Sequence, residues 1–374
     1  MTIAINTRFM FSGQLEGNGS FIYETFTRIA KQHPEHEFIF IFDQPFDEAF
    51  ITSENIIPVV AGPAAKYPLL WKYWYDIKIP ALLKKYKADI FVSPDGFCSL
   101  KTKVPQCIVL HDLAFLQQPL FIKKSHAAWL KKSTAKFLSK AATIVATTTY
   151  LKQELIERFA ADDAKIEVVY GAGSNLYKPL LTDNKNEIKN KYTDGKEYFI
   201  YAGSIAADKN LMMLLKAFSV FKKRQQTNMK LVLTGKVAAT YESFKKDLQS
   251  YKYRNDVLLL ENLPTNELVN IMGAAYGFIH ASLVETFVVS VIEAMQCDVP
   301  VIAAATNSLQ EIINDAAIFV DGASHTAIAE QMMLLYKDER LRNDLIIKGR
   351  KVAANYNWDT TANLLWKSIQ KAIG

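Results

Sequence analysis

Two glutamates stand eight residues apart in the segment HASLVETFVVSVIEAMQCDVPVIAA, residues 280–304. Glu285 falls in the turn expected after a buried strand at 276–282, and Glu293 falls early in a helix expected to begin near Val289. A carboxylate only accepts hydrogen bonds, and near a helix N-terminus its charge is stabilised by about 0.3–1 kcal/mol. Both carboxylates could therefore face a binding cleft, or they could be two capping or solvent-facing glutamates.

A histidine and an aspartate, His111 and Asp112, close the apolar run CIVLHD at 107–112. Parallel sheets bind ligands outside the carboxyl ends of their strands, so this pair is expected at the mouth of a binding site. Asp112 could fix the imidazole tautomer by accepting Nδ1–H. Pairs of this type also end many strands that have no function.

Lys209 follows the expected strand YFIYAG and is predicted at the start of a helix spanning 209–224. Its charge and the helix dipole would neutralise a phosphate there, although a surface lysine is the alternative. Gly17 and Gly19 precede an apolar helix at 20–33, but Ile22 occupies the third position of a dinucleotide-binding glycine loop. A flexible surface loop is the alternative for these glycines.

The elements that position these residues alternate regularly between short apolar runs and longer helical segments. Continuous Val, Ile and Phe runs predict strands covered by helices on both faces, as in a parallel sheet. The fold class is therefore α/β. The predicted strands are 2–6, 37–42, 89–93, 107–112, 143–148 and 165–170, followed by 198–203, 230–235, 257–262, 276–282, 299–304 and 317–322.

The alternation pauses in the polar, turn-rich residues 171–196, which are typical of a linker. We therefore predict two doubly wound, Rossmann-like domains that face each other across a cleft. The predicted boundaries are an N-terminal domain at 1–180, a linker at 181–196, a second domain at 197–355 and a C-terminal helix at 356–374.

Composition excludes several classes of protein. The 374 residues are 50% hydrophobic and 22% charged, as in ordinary globular proteins. Three scattered cysteines, Cys98, Cys107 and Cys297, favour neither a disulfide framework nor a structural zinc site, and with no secretion signal we expect a cytoplasmic location. Nothing resembles a module that reads RNA or DNA, so no nucleic-acid partner is expected.

The segment around the two glutamates resembles the E-x7-E signature of retaining family 4 glycosyltransferases, whose common form is EGFGLPxxEAM. Glu285, Phe287 and Glu293 match it, and the match continues through Ala294 and Met295. YAGSIAADKN resembles the family's YVGTxxPRKN turn, and CIVLHDLAFLQQP resembles its HDLxxxxxP segment. Weaker resemblances at 148–179, 262–282 and 356–373 occur in the family's order, so the resemblance covers nearly the whole chain.

This resemblance implies a GT-B fold in which the domain at 1–180 is the acceptor side, the domain at 197–355 binds the nucleotide sugar and the helix at 356–374 returns to the first domain. It also implies roles for individual residues. Glu285 would contact the donor sugar at the reacting centre, and His111 would approach the sugar's hydroxyls. Glu293 would accept hydrogen bonds from the ribose. Gly17 and Gly19 would form the glycine-rich loop on the acceptor side. The implied donor-binding positions are Lys209, Glu293, Ser204, Phe287, Val288, Val289 and Leu263.

The implied reaction is retaining transfer of a hexose, mannose or glucose, from a nucleoside-diphosphate sugar to a glycan or lipid-linked acceptor in cell-surface polysaccharide synthesis. No D-x-D pair is present, so neither a metal nor another cofactor is expected. Asp208 replaces the family's arginine, and Thr286 and Val288 replace its glycines. A β-branched residue resists positive φ, so Val288 is unfavourable for a phosphate loop. A GT-B sugar-nucleotide epimerase and a non-catalytic or altered-donor binding protein are the alternatives.

One stretch of the chain is strongly basic. Residues 66–140 hold 14 lysines and no arginine against four aspartates, a local charge of +10. Within this stretch, residues 67–87 carry Trp71, Tyr73, Trp74 and Tyr75 among lysines. They could contact anionic lipids peripherally at the inner face of the membrane, or pack in the core with the lysines solvated.

Overall fold

The chain forms two compact units in a computed structural model that describes residues 1–11, 15, 17–65, 68–117, 124–283 and 287–374. Unit 1 comprises Met1–Gly171 together with Asn357–Gly374, and unit 2 comprises Ala172–Tyr356. Each unit is built on its own parallel sheet. The predicted α/β architecture with two parallel sheets is confirmed.

Unit 1 contains a seven-stranded sheet covered by helices. A π-helical segment, Trp74–Lys78, joins its second and third helices. The elements before the chain enters unit 2 are β1 (Thr2–Asn6), α1 (Asn18–Gln32), β2 (Glu37–Phe42), β3 (Ile56–Val60), α2 (Pro68–Tyr73), α3 (Ile79–Lys85), β4 (Ile90–Ser93), β5 (Gln106–Leu110), α4 (Ala114–Gln117), α5 (Lys124–Lys140), β6 (Thr143–Ala146), α6 (Thr149–Phe159) and β7 (Ile166–Val168).

The strands of unit 1 run in the order β3-β2-β1-β4-β5-β6-β7. The edge strand β3 has no counterpart among the predicted strands, because Pro58 interrupts its apolar run. Proline lacks the N–H needed in a central strand and is tolerated at a sheet edge. There it pairs in register with Phe40 of β2.

Unit 2 contains a six-stranded parallel sheet. Its strands are short and buried, and several helices begin with a side-chain cap, such as Thr306 Oγ1 accepting from the Leu309 N–H. Its elements are α7 (Thr182–Thr193), β8 (Tyr198–Ala202), α8 (Leu211–Gln225), β9 (Lys230–Thr234), α9 (Ser243–Ser250), β10 (Val257–Leu260), α10 (Thr265–Gly273), β11 (Gly277–His280), α11 (Val289–Gln296), β12 (Val301–Ala304), α12 (Asn307–Ile313), β13 (Ala317–Val320), α13 (His325–Lys337) and α14 (Glu339–Ala353).

The residues 181–196, predicted as a linker, contain the helix α7 of unit 2. Its sequence is polar on nearly every face, so no apolar periodicity marks it as a helix. Tertiary contacts hold it instead: the Tyr192 hydroxyl and Lys191 both bind Glu267 of α10.

The last helix, α15 (Trp358–Ile373), belongs to unit 1. Its buried face includes Leu365 and Ile369, both fully inaccessible to solvent. Trp358 packs edge-on against Phe21 of α1, and Asp359 pairs with Arg28 of the same helix. The final residues of the chain therefore complete the core that the first residues begin.

Across the part of the chain that the structure describes, every helix falls short of the length and apolarity that a membrane crossing requires.

Candidate functional site

The strand order of unit 2, β10-β9-β8-β11-β12-β13, reverses direction between β8 and β11. Chain connections leave these two neighbouring strands towards opposite sides of the sheet, which opens a crevice at their carboxyl ends. Open α/β sheets bind their ligands at such a topological switch point. The segments 203–210 and 281–289 follow these two strands, and they contain most of the predicted donor-binding residues.

Asn210 fixes the segment after β8 to the ends of two other strands. It adopts a left-handed conformation with φ of 59°. Its side-chain Nδ2 donates to the carbonyl oxygens of Ala281, at 3.0 Å, and Gly322, at 2.8 Å. The Ser282 hydroxyl donates to the Asp208 carbonyl at 3.4 Å. Three loops are thus joined at the switch point through one amide side chain that the sequence did not single out.

Lys209 lies one residue before the left-handed Asn210, in a short 3-10 turn, Ala207–Lys209. The helix α8 begins only at Leu211, so the expected helix start at Lys209 is wrong: a left-handed residue cannot continue an α-helix. The Lys209 ammonium lies 3.3 Å from the Asp208 carboxylate. The aspartate that replaces the usual arginine is therefore an ion-pair partner of the remaining cation.

Ser204 lies where the loops after β8 and β9 run side by side. Ile205 and Val237 form an isolated parallel bridge, which extends the pairing beyond the two strands. Gly203 and Gly235 have positive φ values of 150° and 137°. A Cβ at position 235 would overlap the Gly203 carbonyl oxygen and lie 2.7 Å from the carbonyl carbon. Glycine at 235 therefore lets the two loops approach.

The substitution Gly235→Ala is expected to destabilise unit 2, because a strained φ alone costs about 1–3 kcal/mol and the overlap with Gly203 adds to that cost. Displacement of the loop that carries Ser204 should also weaken binding of the nucleotide-sugar donor that the sequence predicts. Thermal unfolding and calorimetric nucleotide binding would measure both effects. The exposed neighbour Lys236, changed to alanine, is the control and should leave stability unaltered. Wild-type stability in Gly235→Ala would contradict the packing argument.

The N-terminus of α11 also lies at this edge of the sheet. Val288 precedes the helix with φ of −104° and ψ of 95°, an extended conformation that any β-branched residue adopts. The expected conflict at Val288 is therefore wrong, because no positive φ is required there. Phe287 packs edge-on against Tyr356 at 5.7 Å between ring centroids. Glu285 and Thr286 lie outside the described residues.

Glu293 lies on α11, half-buried against the loop that opens unit 2. Its Oε1 accepts from the Ser174 N–H at 3.3 Å, and it also bonds the Tyr177 hydroxyl. Burial raises the pKa of Tyr177, and the nearby charge of Glu293 raises it further. A Cβ at Gly173 would lie 3.2 Å from the Glu293 Cγ, so glycine allows close contact. This loop lies in the polar, turn-rich residues 171–196, for which the sequence predicted no role in the site.

Leu263, the remaining donor-binding candidate, is half-buried between β10 and α10. It follows Asn262, which has φ of 55°. β10 is an edge strand, two strands away from β8. Leu263 is therefore at the carboxyl edge of the same sheet and apart from Lys209.

In unit 1, His111 follows β5 and its Nε2 lies 3.0 Å from the Pro94 carbonyl oxygen. Burial lowers the pKa of His111, so the ring is neutral at pH 7; Asp112, Pro94 and Asp95 oppose this shift. A carbonyl oxygen only accepts, so Nε2 carries the proton and Nδ1 of the neutral ring is an acceptor. Pro94 fixes the tautomer, and the expectation that Asp112 does so through Nδ1–H is wrong.

Gly17 and Gly19 lie at the N-terminus of α1. Gly17 precedes the helix with φ of 49°, and a Cβ at Gly19 would lie 2.5 Å from the Phe9 carbonyl oxygen. Phe21, on the first turn of this helix, packs edge-on against His111 at 4.9 Å. The structure thus links the glycines and the histidine through one aromatic ring, all within unit 1.

A buried polar network that the sequence did not predict lies at the switch point of unit 1, between β1 and β4. The Arg8 Nε and Asp95 Oδ2 are 2.9 Å apart, and only 6% and 2% of the two side chains are exposed. Asp95 also accepts from Asn6, at 2.9 Å, and from the Tyr75 hydroxyl, at 2.5 Å. The Arg8 guanidinium lies 5.6 Å from the centre of the Trp71 ring. Asp95 stands two residues after the predicted strand 89–93, and this position could have indicated a polar group at the carboxyl edge of the sheet.

Family models match both halves of the chain. The model described as Glycosyltransferase Family 4 matches residues 17–172, and the model described as Glycosyl transferases group 1 matches residues 183–352. The first match lies within unit 1, apart from residue 172, and the second lies within unit 2.

Two curated relatives are similar in sequence to most of the chain. The chain is 24% identical over 284 residues to O-antigen chain mannosyltransferase B of Escherichia coli, which covers 74% of this chain and 73% of that protein. It is 24% identical over 283 residues to O-antigen chain mannosyltransferase RfbU of Salmonella typhimurium, which covers 73% and 72%.

The crystal structure of HepE from Anabaena in complex with UDP-glucose has a TM-score of 0.76 with this chain at 16% identity, over 99% of both chains. At that identity the likeness establishes the fold. With the two family models, it leads to one assignment: the chain belongs to the glycosyltransferases that join a Glycosyltransferase Family 4 domain to a Glycosyl transferases group 1 domain, and it has their GT-B fold.

Proposed function

We propose that the protein transfers a hexose, mannose or glucose, with retention from a nucleoside-diphosphate sugar to a glycan or lipid-linked acceptor in the synthesis of a cell-surface polysaccharide. The observation that carries the proposal is the meeting of Lys209, the loop of Ser204 and the N-terminus of α11 at the switch point of unit 2. A cation beside free helix N–H groups suits a diphosphate. The names of the two mannosyltransferases and of the UDP-glucose complex support the donor class.

Each part of the donor has a matching group. Lys209 and the N–H groups of Val288 and Val289 would hold the diphosphate, while Glu293, oriented by the Ser174 N–H and the Tyr177 hydroxyl, would accept from the ribose. Leu263 would contact the base. Asp208 lowers the positive charge available to the diphosphate, because Lys209 already pairs with it.

The chemistry would pass through a transition state resembling an oxocarbenium ion. Lys209 and the α11 N–H groups would stabilise the charge that develops on the leaving diphosphate. Glu285 would orient the sugar at the reacting centre. A neutral His111 would accept a hydrogen bond from a sugar hydroxyl at Nδ1, since Nε2–H is directed at Pro94.

The test is nucleotide release from a panel of GDP-, UDP- and ADP-sugars, with and without polysaccharide and lipid-linked acceptors. Lys209→Met should weaken the donor and slow its turnover, whereas Lys216→Met, an exposed lysine on α8, should not. Glu285→Ala tests the catalytic assignment, and full activity in that variant would refute it. Conversion of a donor without any acceptor would favour an epimerase. Absence of binding across the panel would favour a binding protein with another ligand.

We also propose that transfer needs no metal at the reacting centre, because Lys209 and main-chain N–H groups take the charge of the diphosphate. Initial rates should be the same after dialysis against EDTA and after readdition of Mg²⁺ or Mn²⁺. A rate that falls with EDTA and returns with Mg²⁺ would contradict this.

Peripheral contact with an anionic membrane is the second part of the proposal. The helical stretch 68–85 buries Trp74 and Tyr75 almost completely, so these rings cannot reach lipid. Tyr73 and Ile77 remain exposed, by 37% and 56%. The exposed lysines of the same stretch and its end are Lys72, Lys84, Lys85 and Lys87. Lysines around exposed apolar side chains suit the surface of an anionic bilayer, where a lipid-linked acceptor would be found.

Sedimentation with vesicles should show binding that rises with the fraction of phosphatidylglycerol and falls with salt. Each lysine near such a surface contributes about 1 kcal/mol, so Lys84→Glu with Lys85→Glu should reduce binding by at least about tenfold. Lys245→Glu with Lys246→Glu, in unit 2, is the control of equal charge change. Equal binding by both double variants would exclude this stretch as the contact.

A further inference from the structure

A turn at the opposite edge of unit 1 from His111 brings three metal-ligating side chains together. His33, Glu35 and His36 lie between α1 and β2, before the amino end of β2. Among the residues that the structure describes, they form the group of His, Cys, Asp and Glu side chains whose ligand atoms lie close enough to hold a metal ion, all within 4.8 Å of one another. Neither the sequence nor the proposed transfer reaction gave these residues a role.

Two of the three distances within this group match the edge of a tetrahedral site. The Glu35 Oε1 lies 3.4 Å from His33 Nδ1 and 3.4 Å from His36 Nε2. Bonds of about 2.0–2.1 Å to nitrogen and oxygen in a tetrahedron place neighbouring ligand atoms about 3.3–3.4 Å apart. One carboxylate oxygen thus stands at a tetrahedral edge length from both imidazole nitrogens.

The backbone of the turn is held in place by a neighbouring amide. Asn55 Nδ2 lies 3.1 Å from the His33 carbonyl oxygen, 3.0 Å from that of His36 and 3.0 Å from that of Ala30. Ser53 donates to the Asn55 Oδ1 at 2.7 Å and so orients the amide. Both histidines are therefore positioned by one side chain that would not touch the ion, which reduces the ordering cost of binding.

The imidazole rings are also restrained from the side of α15. The Trp366 ring stacks on His33 with 4.1 Å between centroids and lies 5.4 Å from His36. Glu35 is exposed at 58% of its side chain, so an ion and its water can reach the group from solvent. Two packed imidazoles and one accessible carboxylate thus provide three of the four ligands of a tetrahedral site.

We propose that His33, Glu35 and His36 bind a divalent transition ion of the Zn²⁺ class, with water in the fourth position. Two imidazoles and a carboxylate suit Zn²⁺ and Co²⁺, whereas Mg²⁺ and Ca²⁺ take oxygen ligands. The ion would fix the turn before β2, on whose imidazoles the Trp366 ring of α15 packs. Its role would be to stabilise unit 1, and it would take no part in sugar transfer.

The test is titration of the untagged full chain with Co²⁺, followed by displacement with Zn²⁺. We expect saturable binding of one ion with the visible absorption of tetrahedral Co²⁺, and no competition from Mg²⁺. His33→Ala, His36→Ala and Glu35→Gln should each weaken binding by at least about tenfold, because the loss of even an outer-shell partner of a metal ligand costs about 10- to 100-fold in affinity. Glu37→Gln, an exposed neighbour, and His325→Ala, a histidine of unit 2, should bind as the wild type does.

A second readout uses stability. An ion that binds only the folded state raises the unfolding temperature in proportion to the logarithm of its concentration. Zn²⁺ should raise the unfolding temperature of the wild type and of Glu37→Gln, and should not raise that of Glu35→Gln. Because the Glu35 side chain is exposed, its substitution should not unfold the protein, so a lost Zn²⁺ effect would report on ion binding. Octahedral Co²⁺ spectra, or Zn²⁺ binding that the three ligand variants share with the wild type, would overturn the proposal.

Discussion

The variant Glu293→Gln is expected to lower kcat/KM for the nucleotide-sugar donor by about 10- to 150-fold. Hydrogen bonds to a charged group contribute about 1.5–3 kcal/mol, and each 1.36 kcal/mol corresponds to a factor of ten in rate. Glutamine keeps the length of the side chain and can still accept from the Ser174 N–H, but it has one acceptor oxygen and no charge. Steady-state kinetics with a saturating acceptor would measure the loss.

Two further variants separate donor binding from support of the loop. Tyr177→Phe removes only the hydroxyl that bonds Glu293, so it should cost less than Glu293→Gln. Glu187→Gln makes the same chemical change at an exposed position of α7 and should leave the kinetics unaltered. If Glu293→Gln retained the donor KM and kcat of the wild type, its assignment to the ribose would fail.

The second large effect is expected for Asp95→Asn, which should destabilise unit 1 by about 3–5 kcal/mol. Removing one partner of a buried ion pair leaves the other charge uncompensated. Arg8 would keep its charge at 6% exposure, and the Tyr75 hydroxyl and Asn6 amide would lose the charged oxygen that they share. The cost exceeds that of an ordinary surface substitution several-fold.

Intrinsic fluorescence can follow this loss in one unit only. All five tryptophans lie in unit 1: Trp71, Trp74, Trp129, Trp358 and Trp366. Urea unfolding monitored by their emission therefore reports on unit 1. Asp359→Asn is the control, because its pair with Arg28 is 71% exposed on the aspartate side and should contribute about 1 kcal/mol or less. Asp95→Asn and Asp359→Asn with the same midpoint would show that the buried network contributes little.

The regular elements of unit 2 could be predicted because their signals are local. The helix α11 begins at Val289, as predicted, since its start lies between a turn and a buried strand. α7 was missed because its polar sequence has no apolar stripe, and its contact with Glu267 is made across the fold. The strand β3 was not predicted for a related reason. Proline is tolerated in a strand at the edge of a sheet, and only the assembled sheet shows that β3 is an edge strand.

The candidate site likewise contains residues that local sequence predicts and residues whose role depends on distant contacts. Residue types and spacing placed Lys209 and Glu293 after the correct strands. Asn210 was not predictable, because its role depends on two carbonyl groups that are distant in sequence, those of Ala281 and Gly322. The tautomer of His111 was predicted from the adjacent Asp112, whereas the carbonyl that fixes it belongs to Pro94. Long-range contacts therefore supply what local pattern cannot.

The position of α15 affects the order in which the protein matures on the ribosome. Unit 2 is one continuous stretch, so all of its residues have been synthesised before α15 exists. Until α15 has been synthesised, the nascent unit 1 lacks the helix that supplies Leu365 and Ile369 to its core. Unit 1, whose first strands are synthesised before unit 2, therefore completes its core only after unit 2 has been made. Until α15 packs, unit 1 exposes apolar surface that chaperones can bind.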